Sequence, residues 1–391
     1  MKKTIVTLTT WFPNNKEINK GIFVENSVIE FKKEFPNLEQ IVIVPKPFLP
    51  RWTRFFLPEK ICRYIDLPVS EEKSDYTIYR PSYLKVPFLG GKIYSYFYFL
   101  SVYLFLKKIK LNDDIDIIHS HGVFPDSIAA SKLSNVLGCK HVLHVHDSYL
   151  KTFVKKNSKL IYSAFLNADA ILAVSQFQKN TIKSIFPTLG KIHVLNNSVD
   201  SEKFTNLKRN KSSGNGLRLV FVGNLLPVKG IDILIESCRY LKDVDDLAID
   251  VFGGGEQLEY LEELVSTLDL TGVITFKGHV DNGLLPNILS NYHGLVLPSR
   301  YETFGVVVIE ALSCGLPVIV SNAGALPELV EDDNGLIFES ENAEDLSKKI
   351  RKFSQKKWDY ELISQSATRF DKVIRAKELY LHYTGLFEEK Q

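Results

Sequence analysis

Two glutamates, Glu302 and Glu310, stand with seven residues between them in the string PSRYETFGVVVIEALSCGLPVIV, residues 298–320. The apolar run 293–297 ahead of them reads as a buried parallel strand. Gly305 opens a helical stretch to about Ser313, Gly315 stops it, and Leu316 to Val320 is the next strand. The helix N-terminus of such a unit points out of the carboxyl edge of a sheet, where free backbone N–H groups attract phosphate. Carboxylates beside a diphosphate are repelled unless they face groups that donate to them, such as sugar hydroxyls. A Glu near a helix start also simply complements the helix dipole, and for either residue alone the two readings stand level.

Two glycine-containing loops extend the pattern. In GNLLPVKG, residues 223–230, Gly223 permits a tight turn and Lys229 can reach a phosphate oxygen as a point charge. FGGGE, residues 252–256, again lies between strand and helix and by itself is a tight turn. A lone loop lysine is ordinarily solvated, so neither loop decides the chemistry alone.

The whole string resembles the retaining glycosyltransferases of family 4. These have the GT-B fold, two Rossmann-like doubly wound α/β domains facing across a cleft, and a signature of two Glu residues seven apart. The resemblance implies that Glu310 holds the nucleotide ribose and Glu302 the donor sugar. The amides of Phe304, Gly305, Val306 and Val307, with Thr303 ahead of them, would cradle the diphosphate. Gly223 and Lys229 match the family's phosphate-gripping segment, but Asn224 stands where the family has an Arg. Gly254 falls near the nucleotide, and Val280, in Lys277-Gly278-His279-Val280, falls in the segment that contacts the base. His146 matches a family histidine touching the donor sugar, so the catalytic set is His146, Lys229 and Glu302. Acceptor contacts fall on Asn14, Asn15 and Gly21 in the loop after the first strand, and on His121. Ser175 and Asn197 match positions lining the cleft.

The elements that must position these residues fall into two series. Residues 5–8, 41–44, 116–119, 141–145, 170–174 and 192–195 read as strands with helical stretches between most of them. After the polar, Gly/Ser-rich linker 200–216 the alternation restarts, with strands at 217–222, 248–252, 273–276, 294–297 and 316–320 and helices at about 230–241 and 256–268. The expected domains are 1–198 for the acceptor, 199–370 for the nucleotide-sugar, and a C-terminal helix over 371–391 packing back toward the first domain. The tail from Trp358 to Glu389 reads as helical and charged.

A chain of 391 residues, 45% hydrophobic and 24% charged, fits a two-domain globular protein. Its four cysteines show no metal or disulfide spacing, which fits a reducing cytosol, and MKKTIVTLTTWFP reads as a strand rather than a signal peptide. His119 and His121 stand two apart, but no third ligand at metal spacing accompanies them, so the sequence points away from zinc. Asp114-Ile115-Asp116 has the spacing of a metal pair but sits at the start of a strand, away from the carboxyl edge. No cofactor is expected beyond the donor substrate itself, UDP- or GDP-linked.

The charge is asymmetric. Residues 1–195 hold 27 Lys+Arg against 16 Asp+Glu, and the remainder holds 21 against 30. A basic half meets something anionic. No nucleic-acid module appears in it, so an anionic lipid surface or a phosphorylated acceptor is the expected partner. Residues 45–63 mix five basic residues with Phe48, Trp52, Phe55 and Phe56, which suits a membrane interface or a lid over the acceptor. The uncharged run 93–106 is too short to span a bilayer, which takes ~20 residues, and reads as a buried core helix.

The expected function is therefore retaining sugar transfer to a hydroxyl of a glycan or lipid-linked acceptor in cell-surface polysaccharide biosynthesis. The enzyme would be cytoplasmic, with peripheral contact on the inner face of the membrane. The rival readings are a sugar-nucleotide epimerase on the same fold and a non-catalytic sugar-nucleotide-binding protein.

Overall fold

The computed structural model describes residues 3–50, 52, 55–56, 62, 64–74, 76–85, 91–111, 114–148, 150–205, 216–244 and 246–388. Most of the expected linker and part of the basic-aromatic stretch, including Arg51 and Arg54, lie outside these residues. The chain divides into two compact units, 1–196 with 373–391, and 197–372.

The strands of the first unit are β1 (Thr4–Thr9), β2 (Glu39–Ile43), β3 (Lys46–Pro47), β4 (Ser70–Glu72), β5 (Thr77–Tyr79), β6 (Ser82–Tyr83), β7 (Ile117–His121), β8 (Lys140–Val145), β9 (Ala170–Ala173) and β10 (Ile192–Val194). Among the described residues they form one sheet in the order β10-β9-β8-β7-β1-β2-β5-β4 and a small β3-β6 pair. All ladders are parallel except β4 with β5. The helices are α1 (Ile22–Glu34), α2 (Gly91–Lys108), α3 (Ile128–Leu137), α4 (Leu150–Asn167) and α5 (Gln176–Ile185). Central strands such as Ala170–Ala173 are buried throughout, which is why they read as continuous apolar runs.

The apolar run 93–106 lies within α2, but it is not buried all round. Ser95, Tyr98, Val102 and Leu106 face the core at helical spacing, whereas Ile93, Tyr96 and Leu104 are exposed. Among the described residues no helix is long and apolar enough to cross a membrane.

The second unit holds β11 (Arg218–Val222), β12 (Ala248–Phe252), β13 (Ile274–Gly278), β14 (Gly294–Leu297), β15 (Val318–Ser321) and β16 (Gly335–Phe338). Its sheet is parallel, in the order β13-β12-β11-β14-β15-β16. Helices α6 (Ile231–Cys238), α7 (Leu258–Thr267), α8 (Leu285–Leu289), α9 (Val306–Ser313), α10 (Ala343–Gln355) and α11 (Tyr360–Ser366) connect or follow the strands. Gly315, at φ +70°, ends α9 as a residue in the left-handed region does, its N–H donating to Leu312 O at 2.8 Å. The tail is not one helix. After α11 a single tight turn at Thr368–Phe370 and an extended Asp371 interrupt it, and α12 (Lys372–Glu388) then joins the first unit, packing Leu379, Tyr383 and Leu386 with Phe31, Ile117 and Val142.

In β11 to β15 the chain runs outward through β12 and β13, then returns to the other side of β11 for β14. The carboxyl ends of β11 and β14 are thus the switch point where an open parallel sheet leaves a crevice for a ligand.

Candidate functional site

The loops at that switch point are held by close backbone approaches. Gly253 has φ +148°, and a Cβ on it would stand 1.8 Å from Gly223 O. Gly223 N–H donates to Phe252 O at 3.0 Å, and Leu225 N–H donates to Gly254 O at 3.0 Å. The two glycine loops therefore lie back to back. The second half of the first loop is laced to the segment after β14. Arg300 N–H donates to Val228 O at 2.8 Å, and its guanidinium grips Asp232 through two bonds of 2.8 and 2.7 Å and Glu341 at 2.6 Å. Gly230, at φ +64°, leaves only 2.1 Å between a would-be Cβ and Pro298 O.

This lacing sets Lys229 on Glu302. The Lys229 ammonium pairs with Glu302 Oε1, which also accepts from Ser299 Oγ at 3.2 Å. The Glu302 main chain is fixed as well, its carbonyl accepting from Ala325 N–H at 3.0 Å beside Gly324. Arg300 is engaged with Asp232, Glu341 and Pro227 O in this scaffold, while Lys229 reaches Glu302 and Lys203 reaches Asn282.

Gly305, at φ +103°, turns the chain into α9. The first N–H groups of a helix lack intrahelical partners, so α9 opens with N–H groups at Gly305, Val306 and Val307 that the helix itself does not satisfy. Phe304 itself is buried, its ring edge-on to Phe370 at 5.7 Å, so its side chain is taken up by packing. Thr303 and Gly305 are buried, while Val306 and Val307 are half-buried. Glu310, in the second turn of α9, is 8% exposed and accepts from Asn282 Nδ2 at 3.1 Å. Asn282 Oδ1 in turn accepts from the Lys203 ammonium. Burial pushes the Glu310 carboxyl up to about 7, against the opposing pull of Asn282 and Lys203. Sequence reasoning missed Lys203, Asn282 and Ser299, which lie on three different loops and share no local motif.

The remaining second-unit candidates fall on the same edge. Gly223 and Asn224 follow β11, Gly254 follows β12, Val280 follows β13, and Glu302 follows β14, so four adjacent strands supply the set. Asn224 is exposed and adds no charge. A cation, a row of amides at a helix start and two carboxylates together can bind a diphosphate and the hydroxyls on either side of it.

In the first unit His146 follows β8, its Nε2 3.0 Å from His121 Nδ1 and its ring 4.7 Å from that of Phe23. His121 is 3% exposed and engaged with His146 rather than presented on an open loop. Asn14 Oδ1 accepts the N–H groups of Lys16 and Glu17 at 2.9 and 3.1 Å and so closes its own turn, while Asn15 is exposed. Gly21 has φ +64°, and a Cβ there would lie 2.4 Å from the Trp11 carbonyl, which accounts for the glycine structurally. Ser175 caps α5 by accepting from Gln178 N–H at 3.0 Å. Asp116 is structural, binding Lys3 Nζ at 3.0 Å and Thr4 N–H at 2.9 Å.

Two features of this unit were not legible as sites. Asp126 is fully buried, accepts from Thr10 N–H, Thr10 Oγ and the Tyr98 hydroxyl, and is pushed up to about 7 by burial. Second, the third histidine that the sequence spacing does not offer to His119 and His121 comes from the neighbouring strand. His144 stands opposite His121 in the β7–β8 ladder, and all three rings are buried.

Residues 202–370 match the family model described as glycosyl transferases group 1, and residues 25–203 match glycosyltransferase family 4. The chain is 30% identical over 296 residues to an uncharacterized glycosyltransferase of Methanocaldococcus jannaschii, covering 75% of this chain and 80% of that protein. It is 29% identical over 401 residues to a putative teichuronic acid biosynthesis glycosyltransferase of Bacillus subtilis, covering 97% of each. Among solved structures, sucrose-phosphate synthase of Thermosynechococcus elongatus superposes with a TM-score of 0.78 at 16% identity over 100% of both chains. An Anabaena protein solved in complex with UDP superposes with a TM-score of 0.72 at 18% identity, covering 98% of this chain and 100% of that one. These two structural likenesses bear on the fold.

Proposed function

The chain belongs to the family 4 glycosyltransferases and has their GT-B fold, and from that premise we propose that it is a retaining transferase using a nucleoside-diphospho-sugar. The observation that carries the proposal is the convergence of Lys229, Glu302, the start of α9 and Glu310 at the carboxyl ends of the adjacent strands β11 and β14. In this reading Glu310 accepts the ribose hydroxyls and Glu302 the hydroxyls of the donor sugar. Lys229 and the Phe304–Val307 amides stabilise the diphosphate as it leaves, with no divalent ion in the donor site. His146, in the first unit, is carried as a catalytic candidate on the family resemblance. The acceptor hydroxyl attacks on the face from which the diphosphate departs and gives its proton to a phosphate oxygen, so the anomeric configuration is kept.

Uridine nucleotides are the first to test, because the Anabaena protein of similar fold was solved with UDP. A panel of UDP- and GDP-sugars incubated with the purified protein and a hydroxyl acceptor tests the reading. Release of nucleoside diphosphate coupled to a glycoside of the donor's configuration supports it. A product with inverted coupling at the anomeric proton contradicts retention. Turnover of the donor to an epimer, with no glycoside formed, contradicts transfer.

The acceptor we propose is a lipid-linked or polymer-linked glycan of cell-surface polysaccharide synthesis, met at an anionic membrane by the first unit. Support comes from the basic excess of residues 1–195 and from exposed Trp52, Phe55 and Phe56, which are 65%, 86% and 79% accessible. Lys46, counted among the basic residues of that stretch, does not contribute, because it is buried and donates to Leu67 O. Sedimentation with phosphatidylglycerol vesicles should show binding that weakens with salt and in Phe55→Ala/Phe56→Ala. No binding at low salt would sink the membrane arm while leaving donor chemistry untouched.

A further inference from the structure

Four histidines share one face of the first sheet. In the parallel β7–β8 ladder His121 stands opposite His144 and His119 opposite Val142. Side chains alternate between faces along each strand, so His119, His121 and His144 point the same way, and His146 continues the row. His119, His121 and His144 are 1%, 3% and 6% exposed.

Each of the three rings has one nitrogen anchored. His119 Nδ1 lies 2.6 Å from the Tyr383 hydroxyl, His121 Nδ1 lies 3.0 Å from His146 Nε2, and His144 Nε2 lies 3.3 Å from Leu195 O. A carbonyl only accepts, so His144 carries its proton on Nε2 and its Nδ1 is a bare lone pair. That Nδ1 and Nε2 of His119 are buried without a hydrogen-bond partner. Buried polar atoms are otherwise almost always satisfied, so two orphans in one cluster call for a physical account.

We propose that His119, His121 and His144 form a binding site for a divalent transition-metal ion of the zinc type. The site is built entirely within the first unit, and the ion's role is structural. Their ligating atoms lie within 4.8 Å of one another. Nitrogens bound to one zinc at ~2.0–2.1 Å sit ~3.4 Å apart, so each ring closes inward by less than ~1 Å. The donor set is all imidazole, which suits zinc, copper or nickel and not magnesium or calcium. The outer partners also fit, since a ligating histidine characteristically uses its other nitrogen on a carbonyl, hydroxyl or similar group that fixes ring and tautomer. Bound there, the ion ties β7 and β8 to α12 through Tyr383 and to the residue after β10 through Leu195. The readouts of its test, metal stoichiometry, metal spectra and thermal midpoint, do not depend on sugar transfer.

The test uses the full chain, stripped with chelator, desalted and titrated with zinc and with cobalt. The inference expects one ion per chain, intense visible absorption of the cobalt form as in low-coordinate nitrogen sites, and a rise in thermal midpoint with zinc. His119→Gln and His144→Gln should each lose at least a hundredfold in affinity. Tyr383→Phe keeps the packing and removes only the outer anchor, and should lose about 10- to 100-fold. Should the histidine variants fail to fold, X-ray absorption at the zinc edge of the wild-type protein decides alone, with a shell of three imidazoles expected. A shell of oxygens, no saturable binding, or loss of binding in His193→Gln would overturn the inference. The last outcome would assign the ion to the His193–His382 ring pair, 5.0 Å apart.

Discussion

Lys229 and Glu302, 73 residues apart in the chain, are joined as an ion pair, with Ser299 Oγ donating to the same carboxylate oxygen. The pair keeps a cation and an anion in register, each compensating the other before any ligand is bound. In the proposed reading a donor shares Lys229 with Glu302 rather than recruiting it from solvent. Replacing Lys229 by Ala should weaken UDP or GDP binding by about 1.5–3 kcal/mol, roughly 10- to 150-fold, the worth of a charge-assisted hydrogen bond. The free nucleoside should bind as before. An equal loss for nucleoside and nucleoside diphosphate, measured by calorimetry, would show that Lys229 does not face phosphate.

Glu310 carries a pH dependence. Its carboxyl is held up at about 7 by burial, whereas hydroxyl donors favour the carboxylate. Nucleotide affinity should therefore rise with pH, by about tenfold between pH 6 and 8, with a proton released on binding. Glu310→Gln should bind weakly and with no slope over that range. A wild-type affinity that falls as pH rises would contradict the assignment.

Asp126 makes the corresponding statement about stability. Its folded value of about 7 lies above the ordinary value of 3.8, so its favourable contribution is present below pH 4 and is lost as pH rises through 7. Asp147, pushed up to about 6, adds a slope of the same sign. Asp126→Asn can still accept from Thr10 and can donate to the Tyr98 oxygen. The variant should match wild type near pH 4 and exceed it in thermal midpoint at pH 8. A lower midpoint at both pH values would mean the charged form is the one the fold needs.

Gly230 tests the lacing that places Lys229. With φ +64° and Pro298 O 2.1 Å from the would-be Cβ, Gly230→Ala must push the two loops apart. We expect a loss of about 1–3 kcal/mol in stability together with weakened diphosphate binding. Gly138→Ala, also at positive φ but with open space around it, should lose stability alone. Donor affinity unchanged in Gly230→Ala would separate loop geometry from Lys229 function.

Transfer should proceed without added magnesium or manganese, because in the proposed site Lys229 and the start of α9 would take the charge those ions otherwise meet. Assays in metal-free buffer measure this directly. An absolute requirement restored by manganese would contradict it.

How far the sequence could carry this account depended on where each signal lay. Runs such as 294–297 and 316–320 were legible because strands buried on both faces must be continuously apolar, and Gly315 because a helix stop favours the left-handed region. The same local logic missed Gly335–Phe338, an edge strand as long as 294–297 whose preceding Asp332-Asp333-Asn334 reads as a turn. It also passed over Ala343–Gln355, although Leu346, Ile350 and Phe353 at helical spacing and Asn342 as cap were readable. Glu302, Glu310 and Lys229 stood out because they sit in recognisable strings. Asn282 and Lys203 meet Glu310 from distant loops, and His144 joins His119 and His121 only through the register of two parallel strands. No local pattern encodes such meetings. The run 93–106 shows the converse limit, since composition fixed its helix but not that Ile93, Tyr96 and Leu104 would be left outside the core.

In the proposed reading the second unit holds a nucleoside-diphospho-sugar through Glu310 at the carboxyl edge of its sheet. Calorimetric titration of the wild-type chain and Glu310→Ala with UDP, GDP and their sugar conjugates tests it most directly. Saturable binding of one nucleotide per wild-type chain is expected, weakened at least tenfold in Glu310→Ala while the thermal midpoint stays within a few degrees of wild type. Unchanged affinity in Glu310→Ala, or no binding of any member of the panel to wild type, would contradict it.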